Sequence, residues 1–227
     1  MLEIIRDNWL FFLIGQYPYG PLGGLALTLL LAGVSLLLAV PGGLLLGLGR
    51  VSHFAFIRYP VTALVYLVRG TPLLMVIFWA YFLVPLWLGK NIPGFVTMIC
   101  ALSFFSSAYL AEIIRGGIEG VPHGQTEAAR AGGLNYLQTM RHVVLPQALR
   151  NMLPSLVNQF VSLTKDTSLA FIVGVSELTY VASQINNRTL TKPAEIFFLI
   201  AVMYFILCFS LTTFSRYLEQ RLAWGHK

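Results

Sequence analysis

Long stretches of this chain carry no charge, and that constrains its fold more than any other feature. No Asp, Glu, Lys or Arg occurs between Asn8 and Gly49, and further charge-free runs cover 70–89, 91–111 and 196–215. Crossing about 30 Å of hydrocarbon at about 1.5 Å per residue takes about 20 apolar residues, so each run is long enough to span a bilayer. Charged residues make up 11% of the 227, against roughly 25% in a soluble domain, and mean hydropathy is +0.75. A disordered chain, a cytosolic enzyme and a nucleic-acid-binding domain are excluded as first readings. The net charge of +6 is scattered between apolar runs, where it reads as an orientation signal.

Two regions need argument. The run Tyr59 to Val68 has only ten residues, about 15 Å of helix. It reads as the first part of a second span that continues through Arg69 and kinks at Pro72. The stretch 151–176 is long enough to span but is interrupted by Lys165 and Asp166; it reads as the fourth. Tyr17-Pro18-Tyr19-Gly20-Pro21 is a turn signal, which starts the first span near Leu22 and leaves Trp9 to Ile14 as an interfacial segment. The expectation is an all-α polytopic membrane protein with five spans near 22–48, 60–88, 94–117, 151–176 and 195–216. An odd number puts the termini on opposite faces. Arg50, Arg58, Arg115, Arg130, Arg141, Arg150, Arg216, Arg221 and Lys227 fall on one side, against Arg6, Lys90, Arg188 and Lys192 on the other. The first side is therefore cytoplasmic and the N-terminus outside. Splitting the second span at Arg69-Gly70 gives a six-span alternative with nearly the same charge asymmetry; segment length favours five.

Cys100 and Cys208 sit in apolar runs with no partner at metal spacing and read as small buried hydrophobes. The N-terminus, with Glu3, Arg6 and Asp7, lacks the basic head of a cleavable signal, so the first apolar segment is expected in the mature protein. His53, His123, His142 and His226 lie outside the spans and read as loop histidines. Trp79, Tyr81 and Trp87 read as interfacial belt or packing residues.

The longest segment on the basic side runs from Gly116 to Arg150. Its glycines and Pro122 are expected to break the membrane helix. Gln125 to Ala131 favours helix, and Gly132-Gly133 ends it. Leu137, Met140, Val144 and Ala148 recur at helical spacing and predict a second short helix with one apolar face, bent near its end at Pro146 toward the next span. On periodicity alone this is an amphipathic interfacial loop.

The residue pattern is more specific. Glu127-Ala128-Ala129, three residues, Gly133, nine residues, then Val143-Val144-Leu145-Pro146 resembles the EAA loop of ABC importer permeases, E-A-A-x3-G-x9-I-x-L-P. Val143 stands where that family often has Ile, and Gly132 where this branch usually has Leu. Arg69-Gly70-Thr71-Pro72-Leu73-Leu74, Tyr109-Leu110-Ala111-Glu112-Ile113-Ile114-Arg115-Gly116-Gly117-Ile118, Leu145-Pro146-Gln147-Ala148 and Lys165-Asp166-Thr167-Ser168-Leu169 are similar to segments of its polar amino-acid branch. The resemblance covers roughly 22–220. It implies an interfacial N-terminal segment over 1–21, a transmembrane domain over 22–220 carrying a cytoplasmic coupling loop at 116–150, and a cytoplasmic tail over 221–227.

The resemblance implies a permease subunit in a bacterial cytoplasmic membrane that passes a polar amino acid by alternating access. It would work with a substrate-binding protein, a second identical or similar permease, and separate ATPase subunits that hold ATP and Mg. This chain agrees in having no phosphate-binding loop: its one Gly-Lys pair, Gly89-Lys90, is followed by Asn91, not by Ser or Thr. No cofactor of its own is expected. Glu127, Ala128, Ala129, Gly133, Leu145 and Pro146 would couple to the ATPase. Arg69, Thr71, Tyr109, Glu112, Lys165, Asp166 and Ser168 are the substrate-path candidates. Ionisable groups in a span cost about 2.5–3.5 kcal/mol at its centre on insertion scales, so Arg69, Glu112, Lys165 and Asp166 should face protein, water or one another. They would either meet a zwitterion's charges or form structural ion pairs, with Glu112 and Arg115 three apart. The sequon Asn187-Arg188-Thr189 is discounted in a prokaryotic family. The competing readings are an ATP-independent secondary transporter or channel, which would need repeats not visible here, an ABC permease for a different solute, and an intramembrane enzyme, which has serines but no histidine in a span.

Overall fold

The computed structural model describes residues 2–223, with side chains from 3 to 217, and these residues fold as helices joined by short turns. The expected tail at 221–227, with Arg221, His226 and Lys227 of the charge and histidine readings, lies outside the described side chains. Among the described residues eleven α-helices follow in order: α1 (Leu2–Ile14), α2 (Gly24–Arg50), α3 (Ala55–Gly70), α4 (Leu73–Phe78), α5 (Val84–Leu88), α6 (Gly94–Glu119), α7 (His123–Ala131), α8 (Tyr136–Thr139), α9 (Leu145–Asp166), α10 (Leu178–Thr189) and α11 (Pro193–Ala223). A π-helical turn at Trp79–Leu83 joins α4 to α5, another at Met140–Val144 joins α8 to α9, and a 3-10 segment at Thr167–Val173 follows α9. Among the described residues α2, α6 and α11 are long and apolar enough to cross a membrane, and the bent pair α3 with α4–α5 makes a fourth.

The central pair is α2 with α6. Ser35, Ala39, Gly43 and Gly47 recur every four residues along one buried stripe of α2. Small residues at this spacing let helix backbones approach closely. Ser103 Oγ donates to the Ser35 carbonyl at 3.1 Å and Ser107 Oγ to the Ala39 carbonyl at 3.1 Å. A Cβ on Gly43 would lie 2.5 Å from Leu110 Cβ, and one on Gly47 would lie 2.8 Å from Ile114 Cβ. Successive contacts climb both helices together, so α2 and α6 run in the same direction. The chain between them must therefore return across the same thickness.

It returns in two limbs. The expected kink at Pro72 is a full break: α3 and α4–α5 diverge by 100° across Gly70–Pro72. Pro72 withholds an N–H and disfavours helix in the residue before it, and Thr71 is accordingly extended. The two limbs and α6 border an open apolar cleft of about 460 Å³ lined by Thr71, Trp79, Trp87 and Cys100 among others. Cys100 is exposed and Cys208 half-buried, which corrects the expectation that both are core residues; helical position turns Cys100 away from the packed face of α6.

The first span begins at Gly24, two residues after the expected start. The residues expected as an interfacial segment, Trp9 to Ile14, belong to a helix from Leu2 to Ile14 whose Ile4 and Phe12 are buried with Leu178, Val181 and Ile196. Glu177 knots this end together. Fully buried, it caps α10, its Oε2 accepting from Thr179 N and its Oε1 from Tyr180 N, each at 2.9 Å. Thr28 Oγ1 of α2 accepts from Leu178 N at 3.2 Å. Helix α10 has no counterpart among the segments that the sequence predicts.

The first two glycines of the expected break do not interrupt the helix: Gly116 and Gly117 lie inside α6, which ends at Glu119 with Gly120 as its C-cap and Pro122 just beyond. A Cβ on Gly117 would lie 2.4 Å from Met152 Cγ, so this glycine serves close packing against α9. Helix α9 runs back along α6, from Ala148 and Met152 beside Gly117 to the 3-10 segment, whose Val173 carbonyl abuts Gly94.

Candidate functional site

The loop from Val121 to Val144 builds the first site. Pro122 starts α7, which spans His123–Ala131. Its end is a Schellman motif: Leu134 N donates to the Ala129 carbonyl at 3.2 Å and Gly133 N to the Arg130 carbonyl at 2.9 Å. That geometry puts the residue after the cap in the left-handed region, and Gly133 has φ +86° with no atom within 4 Å of where a Cβ would sit. Glycine is thus required there by backbone conformation rather than by space. Gly132, at φ −76°, is under no such demand. Glu127 and Ala128 are exposed and Ala129 is half-buried, so the acidic residue is presented outward on a nine-residue helix.

Asn135 then opens a capping box, its Oδ1 accepting from Gln138 N and Gln138 Oε1 from Asn135 N, each at 2.9 Å. The expected short second helix does not stop. It continues through the π turn into α9, with Leu145 half-buried and Pro146 in α9's first turn, a position where proline's missing N–H costs least. The expected bend at Pro146 is therefore corrected. Of the expected apolar stripe, Val144 and Ala148 are buried with Ile114, Ile118 and Met152, but Leu137 is 76% exposed because it lies on the first turn, beyond the reach of α6.

The second site is an ionic cluster centred on Glu112 of α6. Glu112 accepts from Arg50, the last residue of α2, and from Arg115. Arg69, in the last turn of α3, places Nη1 3.3 Å from Glu112 Oε2 and its guanidinium 5.2 Å from the centroid of the Tyr109 ring. Arg115 also bonds Glu119. Arg50 stacks on Tyr66 at 5.1 Å, and its side chain is only 4% exposed. Three arginines on three helices thus share one carboxylate. Thr71, the C-cap of α3, bonds back to that helix, Oγ1 donating to the Leu67 carbonyl at 2.8 Å.

The structure brings Arg69, Tyr109 and Glu112 together and leaves Lys165, Asp166 and Ser168 apart. Lys165 is exposed, and Asp166 and Ser168 are half-buried where α9 tightens into the 3-10 segment. Among the described residues no hydrogen bond or ion pair joins them to the Glu112 cluster. Sequence reasoning treats Arg50 only as a topology marker; a basic residue at a span's end carries no signal that it turns back to a carboxylate 62 positions away.

Residues 39–224 match the family model described as binding-protein-dependent transport system inner membrane component. The chain is 40% identical over 200 residues to the probable glutamine ABC transporter permease protein GlnP of Bacillus subtilis (strain 168), covering 87% of this chain and 91% of that one. It is 38% identical over 219 residues to the inner membrane amino-acid ABC transporter permease protein YhdY of Escherichia coli (strain K12), covering 95% of this chain but only 60% of that longer relative. A crystal structure of an amino acid ABC transporter with histidines superposes with a TM-score of 0.86 at 33% identity, covering 97% of each chain.

Proposed function

This chain belongs to the family of binding-protein-dependent transport system inner membrane components, and we propose that it is the permease subunit of an ABC importer that carries a polar amino acid across the bacterial cytoplasmic membrane. The observation that carries the proposal is the loop. The E-A-A-x3-G spacing coincides with an outward-facing helix, α7, closed by a left-handed Gly133, a rigid projecting element suited to a groove on another protein. Separate ATPase subunits would supply ATP hydrolysis. The amino-acid class rests on the names of the similar permeases.

Five crossings are supported by geometry as well as length. Parallel α2 and α6 need a return between them, and α9 with its 3-10 extension runs the length of α6 despite carrying too much charge to look like a span. The excess of positive residues on its side supports a cytoplasmic 116–150 loop. Alternating access would move α9 against α6, carrying Lys165, Asp166 and Ser168 relative to the Glu112 cluster. In this reading the cluster mainly holds α2, α3 and α6 together at the inner end, and Arg69 has its carboxylate partner already.

The test is uptake of labelled amino acids into proteoliposomes holding this chain with its partner permease, ATPase and binding protein, with and without internal ATP. ATP-dependent uptake of one amino-acid class, abolished by Glu127→Lys while ligand still binds the binding protein, is the expected result. Uptake indifferent to ATP and to the substitution would replace this reading with a secondary transporter.

A further inference from the structure

A second cleft lies behind α7, about 220 Å³ in volume, between that helix, the α2–α3 turn, the end of α6 and the start of the α8–α9 helix. One face of α7 lines it: His123, Thr126 and Arg130 recur at i, i+3 and i+7, the spacing of a single helical face. Exposed Glu127 is not among the lining residues. The face presented to a docking partner and the face presented to this cleft are therefore different. Opposite stand His53 and Tyr136, whose rings meet edge to face at 5.3 Å, bridging the α2–α3 turn to α8.

Thr139 forms part of the wall. It is 2% exposed, and its Oγ1 is buried without a hydrogen-bond partner. A buried hydroxyl left unpaired is costly, and here it borders a space holding an Arg and several further donors. The one acid in the lining, Glu119, is already bonded to Arg115, so the uncompensated charge of the cleft is positive. We propose that this cleft binds a small oxyanion, held by Arg130 with Thr126 and the histidine N–H groups as donors, and that Thr139 turns its closed-off hydroxyl into the cleft to join them. The space suits a phosphate or a single amino-acid carboxylate and is small for a nucleotide. An anion seated there would brace α7 against the membrane helices and so regulate how readily that helix moves.

Two sources share the chemistry: phosphate released by the partner ATPases, or the carboxylate of accumulated cargo. Naming those sources rests on the transport reading, but the binding test needs only the purified full-length chain, so its failure and a failure of uptake are distinct. Calorimetric titration of the protein in nanodiscs with sodium phosphate, and separately with glutamine, is compared with chloride at equal ionic strength. Saturable binding of at least one is expected, weakened about tenfold by Arg130→Gln and about fivefold by the near-isosteric Thr139→Val. The preferred anion identifies the source. Binding of neither, or binding that either variant leaves at wild-type affinity, overturns the proposal.

Discussion

The Tyr204 hydroxyl of α11 donates to Glu177 Oε2 at 2.8 Å, fastening the longest helix to the fully buried carboxylate that caps α10. Tyr204→Phe removes that donor and adds nothing in its place. A hydrogen bond to a carboxyl group in a buried setting contributes about 1–3 kcal/mol. Thermal unfolding in detergent should show a lower Tm for this variant. Glu177→Ala should lower it further, since it also strips the cap from Thr179 N and Tyr180 N. The reverse order would show that the cap contributes less than the inter-helix bond.

Gly133→Ala and Gly132→Ala should differ sharply although the two positions are adjacent. At φ +86° a Cβ costs about 1 kcal/mol of backbone strain and loosens the end of α7, whereas Gly132 accepts alanine. ATPase activity stimulated by the loaded binding protein should fall in the first variant and hold in the second. Equal effects would mean that the bend matters for contact with a partner rather than for backbone conformation.

Glu112→Gln leaves three arginines without their shared carboxylate. Breaking a largely buried ion pair costs about 3–5 kcal/mol, and the 26% exposure of the Glu112 side chain moves expectation to the lower end. Arg50→Gln in the same background should recover part of the loss. A double-mutant cycle on nanodisc samples measures the coupling, and a coupling near zero would show that Arg50 is held by Tyr66 rather than by Glu112.

Gly43→Ala should impair the helix pair, because its Cβ would lie 2.5 Å from Leu110 Cβ and force α2 from α6. Gly33, on the same helix with nothing within 4 Å, should tolerate alanine or gain slightly from it. Yield of folded protein and Tm in detergent distinguish the two.

The apolar runs make α2, α6 and α11 legible, because so long a stretch without charge suits little besides a bilayer. Helix α9 is less plain, since Lys165 and Asp166 interrupt it, and α10 escapes sequence reasoning because Asn186, Asn187 and Arg188 look like a loop. The outward α7 and its glycine stop are readable from residue type, while the continuation through Pro146 is not: a proline looks the same whether it ends a helix or sits in a first turn. Arg69 and Glu112 both stand out as ionisable groups in apolar surroundings, yet their meeting depends on the break at Pro72, whose angle no sequence pattern prescribes. The small-residue stripe of α2 is present in the sequence, hidden among leucines that all look equally suited to a membrane.

Residues 136–166 are helical throughout, through the π turn at Met140–Val144, from the capping box beside α7 to the charged pair at the end of α9. At about 1.5 Å per residue the run is roughly 45 Å long. Pivoted near the loop, such a lever multiplies displacement: a tilt of about 5° would carry its far end by about 4 Å. If a partner docks on the loop as proposed, a push of a few degrees there would arrive at Lys165 and Asp166 as a movement of several ångströms.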